Sequence, residues 1–262
     1  MRYFKLLMFV LLSLAVMSCK EHEDSEVGDV IVNFRFVADG SEIRVDTLAY
    51  FNSAGNHYSV ADLKMLVSDF TVQKSTGETY TLEGEQGVHY VDIRDENTLS
   101  WHISDVPSGV YGKIGFTFGV DSALNKTGRF VNPPISNLLW PENIGGGYHY
   151  LMLNCRWHSE LLDVMLPLNF HLGNSIEYDL SVLDTLIMDN SVPLLFDNDF
   201  EITPDFDNEF NVVVNVNNWF SGQYVIDFEK LLGVSIMESQ ALQMYAKANG
   251  ANVFHLTKEV KR

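Results

Sequence analysis

The chain has 262 residues and a formal net charge of −18, from 17 lysine and arginine residues against 35 aspartate and glutamate residues. This balance argues against nucleic acid as a partner, because phosphate contacts need clustered cationic side chains. With only two cysteines, the chain cannot be a disulfide-rich scaffold or hold a four-cysteine zinc site. Hydrophobic residues make up 46% of the sequence, which is enough for a substantial core.

The N-terminus has the features of a lipoprotein signal peptide. Two basic residues precede the apolar run Leu6–Val16, which is too short to span a bilayer comfortably. The sequence Val16-Met17-Ser18-Cys19 comes next and resembles a bacterial lipobox. We therefore predict that residues 1–18 are removed and that the thiol of Cys19 carries a lipid. The alternative is an ordinary secretory signal with an incidental cysteine.

Residues 19–26 form an acidic tether in this interpretation. Lys20 and a run of acidic residues come directly after the cysteine, and few of these residues can contribute to a core. Such a start resembles the surface-export signal of Bacteroidetes lipoproteins, and the alternative is a solvated spacer. The prediction is a protein of the outer membrane or cell surface that touches the membrane only through its lipid anchor.

The rest of the chain is dominated by a hydrophobic period of two, which is typical of strands. Short runs of β-branched and aromatic residues are separated by turn signals, so we predict an all-β, mainly antiparallel, β-sandwich-like fold. Ser59–Val67 opens with a possible helix-capping serine, although the next residues favour a strand. The predicted strands are residues 30–37, 68–72, 80–82, 89–93, 111–120, 148–157, 164–172 and 211–216.

One short helix is predicted near the C-terminus. Ser235 resembles a capping residue, Gln240–Lys247 is rich in helix formers, and Asn249-Gly250 supplies a stop. No linker or repeat divides the chain, so residues 27–262 are predicted to form a single domain. The acidic segment Asp197–Glu209 is expected to be an exposed loop or edge, with calcium binding as an alternative role.

The sequence lacks the common signatures of hydrolases, phosphate-binding loops and zinc proteases, and we expect no enzymatic activity.

His149 and His171 lie in aromatic, strand-like runs. If their strands are neighbours, two imidazoles could hold copper in an apolar pocket; otherwise each is a hydrogen-bonded core histidine. Met152 could add a thioether, but strand alternation predicts that it faces away from His149 and packs in the core. His57 is expected to be a surface histidine rather than a third ligand.

Five segments, in the same order along the chain, resemble those of the MbnP-like family of periplasmic or surface copper-binding proteins. The resemblance spans roughly residues 60–220. The segments are Asp62–Phe70, Val106–Tyr111 with Phe118–Asn125, Leu139–Glu142 with Gly145–Leu153, Phe170–Gly173, and Val214–Phe220.

This resemblance implies a β-rich domain that binds copper through histidines, with His149 and His171 as the ligands. In some members a MauG-like dihaem partner enzyme oxidises a tryptophan at the copper site to kynurenine, and Trp140 occupies the matching position. The main hypothesis is thus a lipid-anchored, non-catalytic copper-binding protein of the cell envelope.

Two other functions stay open at this point. One is a metal-free surface β-sandwich module that binds a glycan or protein through exposed aromatic residues such as Tyr148, Tyr150 and Trp157. The other is an adhesin-like domain that binds calcium for structural purposes through the acidic segment.

Overall fold

The structure, a computed structural model, describes residues 26–179, 184–206 and 208–261. The predicted signal peptide, Cys19 and the tether up to residue 25 lie outside this part of the chain. Within the described part, no helix is long and apolar enough to cross a membrane. The strands are β1 (Val27–Ala38), β2 (Ser41–Glu42), β3 (Tyr50–Phe51), β4 (His57–Gln73), β5 (Thr79–Leu82), β6 (His89–Asp92), β7 (Ser100–Pro107), β8 (Gly109–Phe118), β9 (Leu151–Ser159), β10 (Val164–Leu172), β11 (Ser175–Asp179), β12 (Asp184–Met188), β13 (Val192–Ile202), β14 (Asn208–Asn215) and β15 (Phe254–Lys261).

Two large sheets form the domain. The first has the order β15-β14-β1-β2, with β7 also paired to β1. The second has the order β10-β9-β4-β8-β13, and the short strands β3, β5 and β6 pair with β4. Strands β11 and β12 form a separate hairpin. Among the described residues, the strand pairings are antiparallel except that of β1 with β14, which is parallel.

Aromatic side chains fill the space between the two large sheets. Phe34 of β1 meets Phe116 of β8 edge to face, with ring centroids 5.7 Å apart. Phe200 of β13 and Phe210 of β14 make a similar contact at 4.9 Å. Such contacts bury large apolar areas and add a geometric preference of their own. The predicted all-β, sandwich-like fold is confirmed.

Strand β4 corrects the ambiguous interpretation of Ser59–Val67. These residues belong to the central strand of the larger sheet rather than to a helix, and the Ser59 hydroxyl donates to the Arg156 carbonyl of β9 at 3.3 Å. The pairing register shifts between Val60 and Asp62 and again between Ser68 and Thr71. Each bulge interrupts the alternation of inward and outward side chains, which is why the sequence did not look like a strand there.

The C-terminal region contains the predicted helix and one strand that the sequence did not predict. Helix α1 (Asn217–Phe220) is a single turn, and helix α2 (Gln240–Gly250) is the predicted one. Ser239, not Ser235, caps α2, since its side chain accepts from the Leu242 amide at 3.3 Å. Beyond α2 the chain returns as β15 and pairs with β14.

The acidic segment is an exposed edge for much of its length. Its first half belongs to β13, the outermost strand beside β8. Asp197 and Asp199 are exposed there, while Phe200 and Ile202 are buried. The described residues contain no group of three or more histidine, cysteine or acidic side chains arranged to hold a metal. The calcium alternative therefore has no structural support within these residues.

Candidate metal centre

His149 and His171 are brought together at one end of the β9–β10 hairpin. His171 is the penultimate residue of β10, and His149 lies two residues before β9 begins. The loop before His149 folds back on itself, because the Trp140 amide donates to the Gly147 carbonyl at 2.9 Å. The His149 amide then donates to the Leu138 carbonyl at 2.7 Å, which fixes the backbone of His149 against the start of this loop.

The two imidazole rings are in contact and almost fully shielded from solvent. Their centroids are 5.3 Å apart and their planes are inclined by 77°. His149 is 8% exposed and His171 is 9% exposed. A metal ion lies about 2 Å from a coordinating imidazole nitrogen, so rings at this separation are close enough for one ion to contact both. The sequence could not show this convergence.

Hydrogen bonds assign a different free nitrogen to each ring. Nδ1 of His149 lies 3.0 Å from the Leu138 carbonyl oxygen, which can only accept, so Nδ1 carries the proton. Nε2 of His171 lies 2.8 Å from Oδ1 of Asn154 and donates to it. The lone pairs are therefore on Nε2 of His149 and Nδ1 of His171, and each partner holds its ring in one tautomer, as outer-shell groups do in metal sites.

Burial keeps both histidines neutral at physiological pH. Desolvation lowers the pKa of His149, and the hydrogen bonds to the Leu138 and Leu139 backbone oppose this only in part. Desolvation and the nearby His149 lower the pKa of His171 to about 4. Metal binding requires the deprotonated imidazole, so neither ring has to lose a proton to bind an ion at pH 7.

Trp140 forms one wall of this site. Its ring stands edge to face with His149, with centroids 4.8 Å apart, and is 1% exposed. Its indole N–H donates to the Ile144 carbonyl at 3.1 Å. Gly173 lies against the indole so closely that a Cβ there would be 2.5 Å from Cδ2 of the tryptophan. The position of the predicted modification is thus adjacent to a predicted ligand.

Met152 packs against the apolar core, as expected, but strand alternation is not the reason. A bend at Tyr150 separates His149 from β9, so strand alternation does not relate the two side chains. Met152 is half-buried at the margin of the apolar core, and it stands directly opposite His171 in the β9–β10 ladder. His57 lies elsewhere, at the start of β4, where its ring stacks on Phe51 with centroids 4.3 Å apart.

Two polar side chains that support the site were not predicted from the sequence. Asn154 is the acceptor that orients His171. Gln243 of α2 is fully buried and donates to the His171 carbonyl at 2.8 Å, while its own Oε1 accepts from the Gly173 amide at 3.2 Å. Neither residue carries a local signal in the sequence, because His171 lies 17 residues from Asn154 and 72 residues from Gln243 along the chain.

The aromatic residues suggested for a metal-free binding surface are not available for that role. Tyr148 and Tyr150 are fully buried, and Trp157 is 2% exposed. The two tyrosine hydroxyls are engaged inside the protein: Tyr148 donates to the Phe130 carbonyl at 3.2 Å, and Tyr150 donates to Asn174 at 2.8 Å. The prediction that these rings form an exposed binding surface is wrong, since all three side chains are buried in the interior of the protein.

Comparison with known proteins agrees with this fold. The family model described as MbnP matches residues 27–238 of the chain. Among solved structures, MbnP from Methylosinus trichosporium superposes with a TM-score of 0.54 at 15% sequence identity. That match covers 88% of this chain and 98% of the other chain, and at such low identity it demonstrates a shared fold. A comparison with curated proteins gives no match.

Proposed function

Because the chain belongs to the MbnP family, we propose that it binds copper through His149 and His171 in the cell envelope. The family is associated with copper, which supports a copper-related role for this chain. Imidazole is a good ligand for copper, and an apolar surrounding protects a copper ion with few ligands. The metal would be held rather than used for catalysis, since the sequence carries no recognisable set of nucleophile and base.

One observation carries the proposal: two neutral, buried imidazoles are in contact, with ring centroids 5.3 Å apart. Here the two hydrogen bonds use Nδ1 of one ring and Nε2 of the other, and each ring keeps a second nitrogen with a lone pair. The donor set therefore fits a soft or borderline metal ion.

The proposed state of Trp140 is suggested by its place beside His149. Oxidation to kynurenine by a MauG-like dihaem partner would replace an indole N–H donor with a carbonyl and an aromatic amine. The 4.8 Å contact between the Trp140 and His149 rings supports this proposal. Peptide mass spectrometry of protein isolated from its native envelope tests it. An unmodified Trp140 in that material would refute the modification without affecting the histidine site.

The proposed location rests on the N-terminal sequence. A lipid on Cys19 would anchor the protein in the outer membrane or at the cell surface, and residues 19–26 would hold the domain away from the lipid. Replacement Cys19→Ser is expected to release the protein from the membrane fraction. Membrane retention of this variant would contradict the anchor.

Copper titration of the purified protein tests the histidine site. The unaltered protein is expected to bind one copper ion. The variants His149→Ala and His171→Ala should each lose affinity by more than the roughly 10–100-fold typical of outer-shell changes. His102→Ala is the matched control, because His102 is exposed on β7 in the other sheet. Equal copper binding by all four proteins would refute the proposal.

A further inference from the structure

Strand β9 presents two chemically different faces. Leu151, Leu153 and Cys155 are buried on the core side, with exposures of 0–2%. The alternate residues Met152 and Asn154 are half-buried on the other side, where polar side chains dominate.

The neighbours of Met152 on this face are polar on both sides. Lys64 of β4 is its partner on one side, and His171 of β10 is its partner on the other. Lys64 is engaged in an ion pair with Asp62 and lies 3.9 Å from Asp92. Met65, by contrast, is 1% exposed inside the core. Met152 thus packs against the margin of the apolar core and also borders polar side chains, whereas Met65 lies wholly inside the core.

The pairing register places Met152 next to the histidine site. Directly opposite residues of an antiparallel pair point to the same face, with Cβ atoms about 4.5–5.5 Å apart. The methionine side chain has three rotatable bonds and can adjust its sulfur position over several ångströms. Since His171 contacts His149, Met152 is a ladder neighbour of the ring pair that would hold the ion.

The chemistry of the site calls for such a donor. Two imidazoles leave a copper ion with few ligands, and no cluster of three histidine, cysteine or acidic side chains occurs in residues 26–179, 184–206 and 208–261. A thioether is neutral and soft, and it prefers Cu(I) among the common metal ions. Together with two neutral imidazoles it would favour the singly charged Cu(I) over Cu(II) or Zn(II).

We propose that Met152 supplies its thioether sulfur as a third ligand to copper held by His149 and His171, and so selects Cu(I). This inference rests on the copper-binding function proposed above.

The hairpin offers an internal control. Met165 of β10 stands opposite His158 of β9, so the chain contains a second methionine–histidine pair in the same ladder. His158 lies 3.2 Å from Asp163 at the far end of the hairpin, away from the His149 ring. The variants Met152→Leu and Met165→Leu are therefore the same chemical change in the same hairpin, with and without a neighbouring histidine pair.

The test combines X-ray absorption at the copper edge with Cu(I) and Cu(II) affinities from competition with chelators specific for each oxidation state. The unaltered protein loaded with Cu(I) is expected to show one sulfur scatterer, which Met152→Leu removes. Met152→Leu should weaken Cu(I) binding at least tenfold and leave Cu(II) binding within about twofold. Met165→Leu should change neither. Circular dichroism verifies that both variants fold. The sulfur scatterer in the unaltered protein is a separate test, which does not depend on the folding of any variant.

The outcomes separate this inference from the function on which it rests. If the unaltered protein binds copper with only nitrogen and oxygen scatterers, or if the sulfur persists in Met152→Leu, the methionine ligand is refuted and the histidine site stands. Equal loss of Cu(I) and Cu(II) affinity in Met152→Leu would refute the selectivity. No copper binding by the unaltered protein would refute both proposals.

Discussion

Protonation of His171 should make the metal-free protein less stable in mild acid. Its pKa is about 4 in the folded chain, against about 6.5 in an unfolded one. Between these values the unfolded state binds more protons than the folded state, so stability is fully present above pH 6.5 and is lost as the pH falls toward 4. At about 1.36 kcal/mol per pH unit, the loss from this one group between pH 7 and pH 4 is about 3 kcal/mol. The low exposure of the ring, 9%, means that solvent screening reduces this figure little.

Urea unfolding of the metal-free protein at pH 7 and pH 4 measures the effect. Carboxylates titrate over the same range, so the comparison is between the unaltered protein and His171→Gln, which cannot titrate at this position. The variant should lose about 3 kcal/mol less than the unaltered protein over this interval. His102→Gln, at an exposed site, should behave like the unaltered protein. An equal pH dependence of the unaltered protein and His171→Gln would refute the reasoning about burial of the histidine pair.

Three further predictions concern the surroundings of the site. Gly173→Ala should cost about 1–3 kcal/mol of stability and weaken copper binding, because its Cβ would be 2.5 Å from Cδ2 of Trp140. Chemical denaturation measures this cost, and the control is Gly112→Ala, where a Cβ meets only an ordinary 3.7 Å contact. Equal costs in the two variants would contradict the prediction. Asn154→Leu removes the acceptor that orients His171 and should weaken copper binding about 10–100-fold in a competition titration. Unchanged affinity would show that Asn154 does not determine the tautomer of His171. Copper at about one hundred times its Kd should stabilise the protein by about 2.7 kcal/mol, measured by thermal unfolding. A melting temperature that does not change when copper is added would argue against a site in the folded state.

The strands could be predicted where alternation is uninterrupted. Strand β10 has the bounds predicted from the sequence, residues 164–172, and its pairing with β9 runs without a register shift. Strand β4 could not be recognised as one strand, since two bulges shift its register. Strand β15 was not predicted because the Asn249-Gly250 stop ends a helix without specifying the next element, and its pairing with β14 is a tertiary contact.

The candidate site was predictable in its components and not in its arrangement. The sequence indicated His149 and His171 as residue types suited to copper, and both lie in successive predicted strands. Their contact depends on the loop that folds back through Trp140 and Gly147. The position of Met152 opposite His171 depends on hairpin register, and the sequence alone does not specify it.

The most direct test of the central claim is anomalous diffraction at the copper edge from crystals of the copper-loaded protein. We expect one strong peak between the imidazole rings of His149 and His171, on the side of Nε2 of the first ring and Nδ1 of the second. A copper peak at any other place in the molecule, or metal-free rings in a crystal that holds copper elsewhere, would contradict the claim.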